Sequence, residues 1–470
     1  MTPLHARPDH PNLTDRLEPF ASAAALDPGL REFLHRTADL LCHWIGSAES
    51  SAPLPLMRPL PEVAPTRHGR DVAGLLQDLQ RVMDGAYQPS HPGALAHLDP
   101  PPLTASIAAE LVCAGLNNNL LAEELSPGLT GLEHELCRWF CHRIGLPSTS
   151  GGVLASGGTL SNLMALVTAR MAAGAAASNA VVLCSEDAHV SLAKAVRVMG
   201  LAGDGLQELP VDAEGRLCAE AVERRLTALR DQGRPCVAVV ATAGTTVRGA
   251  IDPLIALADV CEKAGVWLHV DAAIGGVFAL SNAHVPLVSG LERADSITLN
   301  PQKLLGITKA SSLLLLQQRD HLRRAFSTGL PYMQPPTDLD HGGEMGLQGT
   351  RPAEVLKLWL GLRQLGEEGI EAVLASALHR RALFAAALDP HLMQVLPGDL
   401  HVLAMHPTQM SAAETERWSE STRQSLLASG FMLSRPRYRQ RFCLKAVFGN
   451  PHTTESHLNA LAQLLHDSLR

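Results

Sequence analysis

His269-Val270-Asp271-Ala272-Ala273 follows a short apolar run, and Asn300-Pro301-Gln302-Lys303 follows another further along the chain. Apolar runs of this kind predict buried strands, and open α/β sheets bind ligands at the carboxyl ends of their strands. The two stretches therefore bring an acid, Asp271, and a lysine, Lys303, to one edge of a predicted sheet. An acid for the pyridinium nitrogen and a lysine for the Schiff base are the two protein groups that pyridoxal 5′-phosphate (PLP) requires. The pair predicts a PLP site.

A second lysine close by, Lys309, is a rival for the Schiff base. Lys303 directly follows the predicted strand, after an Asn-Pro pair that turns the chain. Lys309 lies six residues on, just before the next apolar run, where its side chain is expected to face solvent or the rim of the site. Lys303 is therefore the predicted attachment point.

The composition is that of a globular enzyme and argues against several other classes of protein. Of the 470 residues, 46% are hydrophobic and 18% are charged, an apolar balance that favours a homo-oligomer. The net charge of −8 argues against a nucleic-acid partner, which would need a basic face. We expect no membrane span and no signal peptide in residues 1–20, and the nine cysteines fit reduced thiols, so a cytoplasmic location is predicted.

The pattern of apolar runs predicts three regions. Residues 1–95 contain two amphipathic helices, 30–45 and 72–83, joined by a Pro- and Ser-rich linker, and are expected to pack on another domain or on the partner subunit. Residues 96–350 alternate helices with unbroken apolar strands, which is typical of a sheet covered on both faces. The predicted strands are 180–184, 236–241, 266–270, 297–299 and 312–316. Residues 351–470 open with a helix and form a smaller α+β domain.

A glycine-rich stretch, Ser156-Gly157-Gly158-Thr159, precedes a predicted helix over residues 163–173. Unpaired backbone N–H groups at the start of a helix bind phosphate. Taken alone, the stretch would also fit a helix cap without a ligand. The PLP-type lysine elsewhere in the chain favours a phosphate site.

One further cluster could suggest a metal ion, because His134, Cys137 and Cys141 lie at helical spacing within residues 133–144. Cysteines at this spacing on an apolar helix face are more often buried thiols, and no second pair of ligands follows. No metal site is predicted.

Several motifs occur in an order that resembles the group II PLP-dependent amino-acid decarboxylases, the family of the glutamate, cysteine sulfinate and aromatic-amino-acid enzymes. The resemblance covers residues 91–359, with a weaker tail to residue 451. Besides the stretches above, it rests on Leu98-Asp99-Pro100-Pro101-Pro102, Ser126-Pro127, Leu132-Glu133, Ala188-His189-Val190-Ser191, Thr242-Ala243-Gly244-Thr245-Thr246 and Leu356-Lys357-Leu358-Trp359. It implies an α/β fold of PLP fold type I, similar to aspartate aminotransferase. Such a fold has a large, mainly parallel sheet domain with helices on both faces and a small C-terminal α+β domain.

The resemblance implies a role for each residue that matches a family motif. Lys303 forms the Schiff base, Asp271 pairs with the pyridine nitrogen and keeps it protonated, and His189 stacks on the ring. The remaining cofactor-binding positions are Gly158, Thr159 and Asn300 at the phosphate, Ala273 on the other face of the ring, and Thr246 near the ring and the substrate carboxylate. Two of these residues have a structural alternative: His189 as a satisfied core residue and Asp271 as a strand-end cap.

Residues 326–349 are polar, rich in Gly and Pro and without periodicity, which predicts a mobile loop. The family has a tyrosine on such a loop that returns a proton to the substrate carbon after carbon dioxide leaves, and Tyr332 matches it. Relatives that consume oxygen and release an aldehyde have Phe there, so the resemblance favours simple decarboxylation. Gly349 and Thr350 match the segment through which one subunit touches the phosphate of the other. This match implies a homodimer with the active site at the subunit interface.

Three positions depart from the family pattern. Gln302 stands where many relatives have His, which removes a titratable group beside the phosphate, and Leu304 stands where many have Trp or Met. Lys445 occupies a position often held by Arg and is a candidate for substrate recognition. Gln302 and Leu304 are expected to change the shape of the pocket but not the ability of the PLP ring to withdraw electrons.

The predicted activity is PLP-dependent α-decarboxylation of an L-amino acid to an amine and carbon dioxide. Arg248, close to Thr246 on a strand-end loop, could clamp a second acidic group of the substrate; the alternative is a solvated loop arginine. The candidate substrates are acidic (aspartate, glutamate or cysteine sulfinate), with 2,4-diaminobutyrate as another. Alternative functions are aldehyde formation or transamination on the same fold, and a non-catalytic PLP-binding regulatory protein.

Overall fold

The computed structural model describes residues 17–65, 67–174, 178–333 and 339–470. The chain divides into two compact units, Met1–Ala94 and Leu95–Arg470. Within the described ranges, no helix combines the length and the apolar character that crossing a membrane requires.

The described part of the smaller unit contains two helices, α1 (Pro28–Gly46) and α2 (Val72–Asp84), which confirm the two predicted amphipathic helices. Each begins at an aspartate cap: Asp27 and Asp71 both accept a hydrogen bond from the backbone N–H three residues further on. The linker between them, predicted to lack any element, contains one 3-10 turn, Ala48–Ser50.

Ten helices lie in the described part of the larger unit. They are α3 (Thr104–Leu116), α4 (Pro127–Ile144), α5 (Gly158–Ala172), α6 (Ser191–Val198), α7 (Ala219–Asp231), α8 (Leu254–Ala264), α9 (Asp320–Phe326), α10 (Glu354–Ala387), α11 (Ala412–Ala428) and α12 (Glu455–Asp467). The long helix α10 bends at Gly366, whose φ of 63° and ψ of −177° interrupt the helical conformation.

A seven-stranded sheet forms the centre of this unit. Its strands are β1 (Gly151–Ala155), β2 (Val181–Ser185), β3 (Leu206–Leu209), β4 (Cys236–Thr242), β5 (Trp267–Ala272), β6 (Ser296–Leu299) and β7 (Ser312–Leu316). The strand order is β1-β7-β6-β5-β4-β2-β3, and β7 is antiparallel to both neighbours while the other pairs are parallel. The predicted, mainly parallel sheet is thus confirmed.

Both faces of the sheet are covered, because successive apolar side chains of a strand point to opposite sides. In β4, Val239 joins a core that includes residues of α4, α7 and α8, whereas Val240 joins a core that includes residues of α5 and α6. The unbroken apolar run of β4 therefore encodes a strand that is buried on both faces.

A smaller sheet follows α10. Its strands are β8 (Met393–Val395), β9 (Val402–Pro407) and, after the hairpin of β10 (Arg437–Tyr438) with β11 (Arg441–Phe442), β12 (Leu444–Val447). The order β12-β9-β8 is antiparallel throughout. Leu426 of α11 and Leu461 of α12 lie in its core with Leu403 of β9. This is the small C-terminal α+β region that the family resemblance implies.

Three local features differ from the sequence prediction. The helix after the glycine-rich stretch begins at Gly158, not at residue 163. The strands β1 and β3 are absent from the prediction, and β1 is the instructive case because it opens with two glycines. A Cβ atom on Gly152 would clash with the main-chain oxygen of Leu314 in β7. Gly152 therefore permits a close approach of two strands, which local sequence patterns do not reveal.

Candidate active site

Asp271 and Lys303 lie at the same edge of the large sheet. Asp271 is in β5 and is 6% exposed, and Lys303 follows the neighbouring parallel strand β6 in a 3-10 turn. Burial lowers the pKa of the Lys303 ammonium, and the negative charge of Asp271 partly opposes this shift. The rival lysine, Lys309, is instead in an ion pair with Asp99, with 2.7 Å between Nζ and Oδ1. The structure thus brings a buried carboxylate and an amine with a lowered pKa to one edge of the sheet.

The glycine-rich stretch lies at the start of α5, next to the end of β6. Gly157 has a φ of 127°, a left-handed value that favours glycine, and α5 begins at the following residue. A Cβ atom on Gly158 would lie 3.0 Å from Nδ2 of Asn300 and 3.7 Å from Cβ of Ala273. Three residues predicted to bind the cofactor therefore meet at a helix start, with Thr159 in its first turn. Backbone N–H groups in this position suit a phosphate.

His189 is half-buried, and it is linked to Asn162 of the helix α5 through the hydroxyl of Ser191. Its Nδ1 lies 2.9 Å from the hydroxyl oxygen of Ser191. Burial lowers the pKa of His189, and Asp271 partly opposes this shift. A neutral imidazole next to the acid fits a residue that covers an aromatic ring rather than one that carries charge.

Asn162 is a site residue that the sequence prediction missed. It is 1% exposed, and its Nδ2 donates to Oδ2 of Asp271 at 2.8 Å and to the hydroxyl oxygen of Ser191 at 2.8 Å. The backbone N–H of Ala273 donates to the other carboxylate oxygen at 3.2 Å. The Asp271 carboxylate is therefore held from both sides. The available signal is helical spacing, because Asn162 lies one turn after Gly158 on the same face of α5.

Lys445 reaches the site from the C-terminal sheet. It lies in β12, is 6% exposed, and its Nζ donates to the carbonyl oxygen of Thr246 at 3.4 Å. Burial lowers the pKa of Lys445 to about 8, and the positive charge of Lys303 contributes in the same direction. The structure therefore brings together the two residues, Thr246 and Lys445, that the sequence placed near the substrate carboxylate.

The two other departures from the family pattern lie beside Lys303. The side-chain oxygen of Gln302 accepts a hydrogen bond from the backbone N–H of Ser311, and Leu304 is buried at 2% exposure. Gln302 is thus tied to the backbone that leads into β7.

Arg248 has a different role from the predicted substrate clamp. It is 2% exposed, so the alternative of a solvated loop arginine is wrong as well. Its Nε donates to the carbonyl oxygen of Pro397 at 2.8 Å, Nη1 to Oη of Tyr438 at 2.9 Å, and Nη2 to the carbonyl oxygen of Ala213 at 3.0 Å. All three guanidinium nitrogens are engaged within the protein. Arg248 therefore fastens the large sheet region to the C-terminal region and is not directed at a substrate.

Tyr332 is 71% exposed, and the structure does not bury it with the residues above. The segment before it is fixed by the buried Glu344, whose carboxylate accepts hydrogen bonds from the hydroxyls of Ser327 and Thr328 and from the backbone N–H groups of Thr328 and Gly329. Part of the predicted loop, residues 334–338, lies outside the described residues. Glu344, near the end of the predicted loop, thus fixes residues 327–329 at its beginning.

Gly349 and Thr350 are exposed and are not gathered at Lys303 within this chain. They precede Arg351, which is buried in an ion pair with Glu133, with 3.0 Å between Nη2 and Oε1. The exposed Gly349 and Thr350 are thus followed directly by a residue that is anchored in the interior of the protein.

The cysteine cluster in α4 does not resemble a metal site. Cys137 and Cys141 are buried, and burial raises the pKa of Cys137 well above its usual range and that of Cys141 to about 11. Such thiols resist the ionisation that metal binding needs. Among the residues that the structure describes, no three His, Cys, Asp or Glu side chains are grouped to hold a metal ion.

Residues 53–397 match the pyridoxal-dependent decarboxylase conserved domain. The chain belongs to this family. It is 36% identical to the L-2,4-diaminobutyrate decarboxylase of Rhizobium meliloti (strain 1021), over 70% of this chain and 66% of that protein. It is 31% identical to the cysteine sulfinic acid decarboxylase of Rattus norvegicus, over 68% of this chain and 70% of that protein.

Some relatives are longer than the matched region. The chain spans 66% of the Rhizobium enzyme and 63% of an Acinetobacter baumannii L-2,4-diaminobutyrate decarboxylase, to which it is 33% identical. About a third of each of these two relatives lies outside the alignment with this chain.

Solved structures confirm the predicted fold. The Oryza sativa TDC with PLP and tryptamine superposes with a TM-score of 0.89 at 22% identity, covering 96% of this chain and 99% of that one. The structure of mouse CSAD gives a TM-score of 0.86 at 24% identity, covering 94% and 98%. At these identities the likeness concerns the fold.

The cofactor of the pyridoxal-dependent decarboxylases is PLP, and the residues present here fit it. A buried carboxylate with both oxygens held, a lysine with a lowered pKa and a glycine at a helix start meet at one sheet edge. Asp271 would hold the pyridinium nitrogen, Lys303 the carbonyl carbon, and the start of α5 the phosphate.

We expect Arg248→Ala to destabilise the protein by about 1–3 kcal/mol, because it removes three part-buried hydrogen bonds donated by a charged group. The Michaelis constant of the folded variant should stay within about twofold of the native value, since the guanidinium does not reach the substrate. Denaturant unfolding and steady-state kinetics measure the two effects, and Arg230→Ala on the exposed side of α7 is the control. A stable variant with a strongly raised Michaelis constant would instead support the hypothesis that Arg248 binds an acidic group of the substrate.

Proposed function

We propose that this pyridoxal-dependent decarboxylase removes the α-carboxylate of an L-amino acid as carbon dioxide and releases the amine. The meeting of Asp271 and Lys303 at one edge of the large sheet carries the proposal. When bound, PLP supplies an electron sink for the carbanion that decarboxylation produces.

Each proposed role follows from a residue's surroundings. Lys303 would hold the cofactor covalently, and burial lowers the pKa of its amine in the direction that favours the neutral nucleophile. Asp271 can keep a proton on the ring nitrogen because two N–H donors stabilise its negative charge. His189 covers the ring as a neutral imidazole. Lys445, next to Thr246, is the cation proposed to receive the substrate carboxylate.

For the substrate we propose L-2,4-diaminobutyrate, which would yield 1,3-diaminopropane and carbon dioxide. The argument for an acidic substrate rested on Arg248, and that guanidinium is occupied elsewhere. Two relatives named for L-2,4-diaminobutyrate are 36% and 33% identical to this chain. Cysteine sulfinic acid is the second candidate, given the 31% identity to the rat enzyme.

We also propose a cytoplasmic homodimer in which Gly349 and Thr350 of one subunit approach the phosphate site of the other. Both residues are exposed on the single chain. The helix α3 also leaves an apolar group exposed, with Leu111 at 53%, Val112 at 48% and Leu116 at 50%. Burying such a patch favours association. The nine free cysteines support a reducing compartment.

A panel of amino acids tests the reaction and the substrate together. The PLP-loaded native chain should release carbon dioxide and a stoichiometric amount of amine, fastest from L-2,4-diaminobutyrate. Lys303→Ala should lose turnover and the borohydride-reducible cofactor, whereas Lys309→Ala should retain the covalent cofactor. Faster turnover of glutamate or cysteine sulfinate would overturn the substrate only, and keto acid formation without carbon dioxide would overturn decarboxylation.

Tyr332→Phe tests the protonation step. The variant should still release carbon dioxide, but amine yield should fall about 100-fold or more, because a positioned general acid contributes roughly 10²–10⁴-fold. Aldehyde and hydrogen peroxide should appear in the presence of oxygen. Tyr438→Phe, which removes the hydroxyl that Arg248 and Asp187 share, is the control and should leave the product ratio unchanged. Native amine yield from Tyr332→Phe would remove this role.

Sedimentation of the native chain should give twice the mass of the 470-residue protein. Replacing Leu111 and Leu116 with charged residues should shift the mass towards the monomer, because like charges would then face each other across the proposed interface. A native monomer with full activity would contradict the shared site.

A further inference from the structure

A line of hydrogen bonds runs along β5 from its first residue to Asp271. The indole Nε1 of Trp267 donates to Oγ of Ser296 at 2.8 Å, and that hydroxyl lies 2.9 Å from Nδ1 of His269. Nε2 of His269 lies 3.1 Å from Oδ1 of Asn162. Nδ2 of the same amide donates to Asp271 at 2.8 Å. The line therefore links the two ends of one strand through side chains on β5, β6 and α5.

A branch of the same line reaches His189. The second hydrogen of the Asn162 amide is donated to Oγ of Ser191 at 2.8 Å. That hydroxyl lies 2.9 Å from Nδ1 of His189, and the backbone N–H of Ser191 donates to the same ring nitrogen at 3.2 Å. Nδ1 of His189 accepts from the hydroxyl and from the backbone N–H of Ser191, so the proton of the neutral imidazole is on Nε2.

The hydrogen bonds of the line take their direction from Asp271, because a carboxylate can only accept and so leaves the Asn162 oxygen facing Nε2 of His269. An indole N–H can only donate, so the Ser296 oxygen accepts from Trp267 and its own hydrogen is free to point to Nδ1 of His269. The ring proton of His269 is then on Nε2, where it is donated to the oxygen of Asn162. The opposite tautomer would set a lone pair of His269 against that oxygen. Turning the amide to relieve this contact would set the oxygen against the Asp271 carboxylate.

The charge state of His269 agrees with this arrangement. Its ring is fully buried, and burial lowers its pKa to about 4, although the charge of Asp271 opposes the shift. At neutral pH the ring therefore has one proton and one acceptor nitrogen, as the line requires.

We propose that Trp267, Ser296 and His269 are positioning residues, which through Asn162 hold the Asp271 carboxylate in one orientation towards the ring nitrogen of bound PLP. They touch neither cofactor nor substrate. The same amide, through Ser191, sets the tautomer of His189. The inference rests on the cofactor role of Asp271 given in the proposed function, and it extends the site to the far end of β5.

Ser296→Ala tests the line with little change of shape, and Thr298→Val is its matched control. Both hydroxyls lie on β6, both residues are 0% exposed, and the Thr298 hydroxyl has no hydrogen-bond partner among the described residues. Ser296→Ala frees His269 to donate from Nδ1 to the Ser296 carbonyl oxygen, 3.2 Å away, and so to take the other tautomer.

Equilibrium dialysis of the full-length chain should show an affinity for PLP about tenfold weaker in Ser296→Ala, as expected when a buried hydrogen-bonded series loses one member. The pH midpoint at which the absorbance of the bound cofactor changes should move as well. Thr298→Val should alter neither quantity. Trp267→Phe, at the half-exposed start of the line, should change both in the same direction and serves if Ser296→Ala does not fold.

Two results would overturn the positioning role and leave the proposed function unaffected. The first is an equal effect of Ser296→Ala and Thr298→Val. The second is a native affinity for PLP and a native pH midpoint in both Ser296→Ala and Trp267→Phe. A native chain that binds PLP but releases no carbon dioxide would contradict the proposed function and leave the positioning role supported by these spectra. Failure of the native chain to bind PLP would overturn both.

Discussion

The parallel pairing of β5 with β6 is the constraint on which the site depends. His269 pairs with Ser296 and Ala272 with Leu299, so the two strands end at the same level. Asp271 and the turn that carries Lys303 are therefore neighbours at the carboxyl edge. A shift of the pairing by one residue would turn the Asp271 side chain to the opposite face of the sheet. The register also sets the Ser296 hydroxyl next to the His269 ring, so one pairing supports both the acid and the residues behind it.

Most of the sheet could be predicted because its strands are unbroken apolar runs. The boundaries of β7 agree with the predicted residues 312–316, and all five of its residues are buried. The strand β1 could not be predicted in this way, because Gly151 and Gly152 are poor strand formers and the backbone contact that favours Gly152 comes from β7. The start of α5 was missed for a related cause, since Gly158 is favoured there by the close approach of Asn300 and not by helix propensity.

The residues of the candidate site also fall into those that the sequence predicts and those that it does not. Asp271 and Lys303 could be predicted because the chemistry of the cofactor demands those residue types at strand ends. Arg248 could not, because its acceptors come from residues 213, 397 and 438, which are far apart in the sequence. Asn162 is similar, with partners at residues 191, 269 and 271. A buried polar side chain is assigned by its partners, and partners brought together by folding leave no local pattern.

The anchoring of the tyrosine-bearing segment by Glu344 has a geometric consequence. Because Gly329 is fixed to this carboxylate, the backbone of Tyr332 moves on a tether of three residues, which spans at most about 10 Å at 3.3–3.6 Å per residue. On the other side of the loop, Asp340 is in an ion pair with Arg319, with 2.6 Å between Oδ2 and Nη1. Short tethers raise the effective concentration of the group that they carry. The two attachments together limit the volume that the phenol can explore.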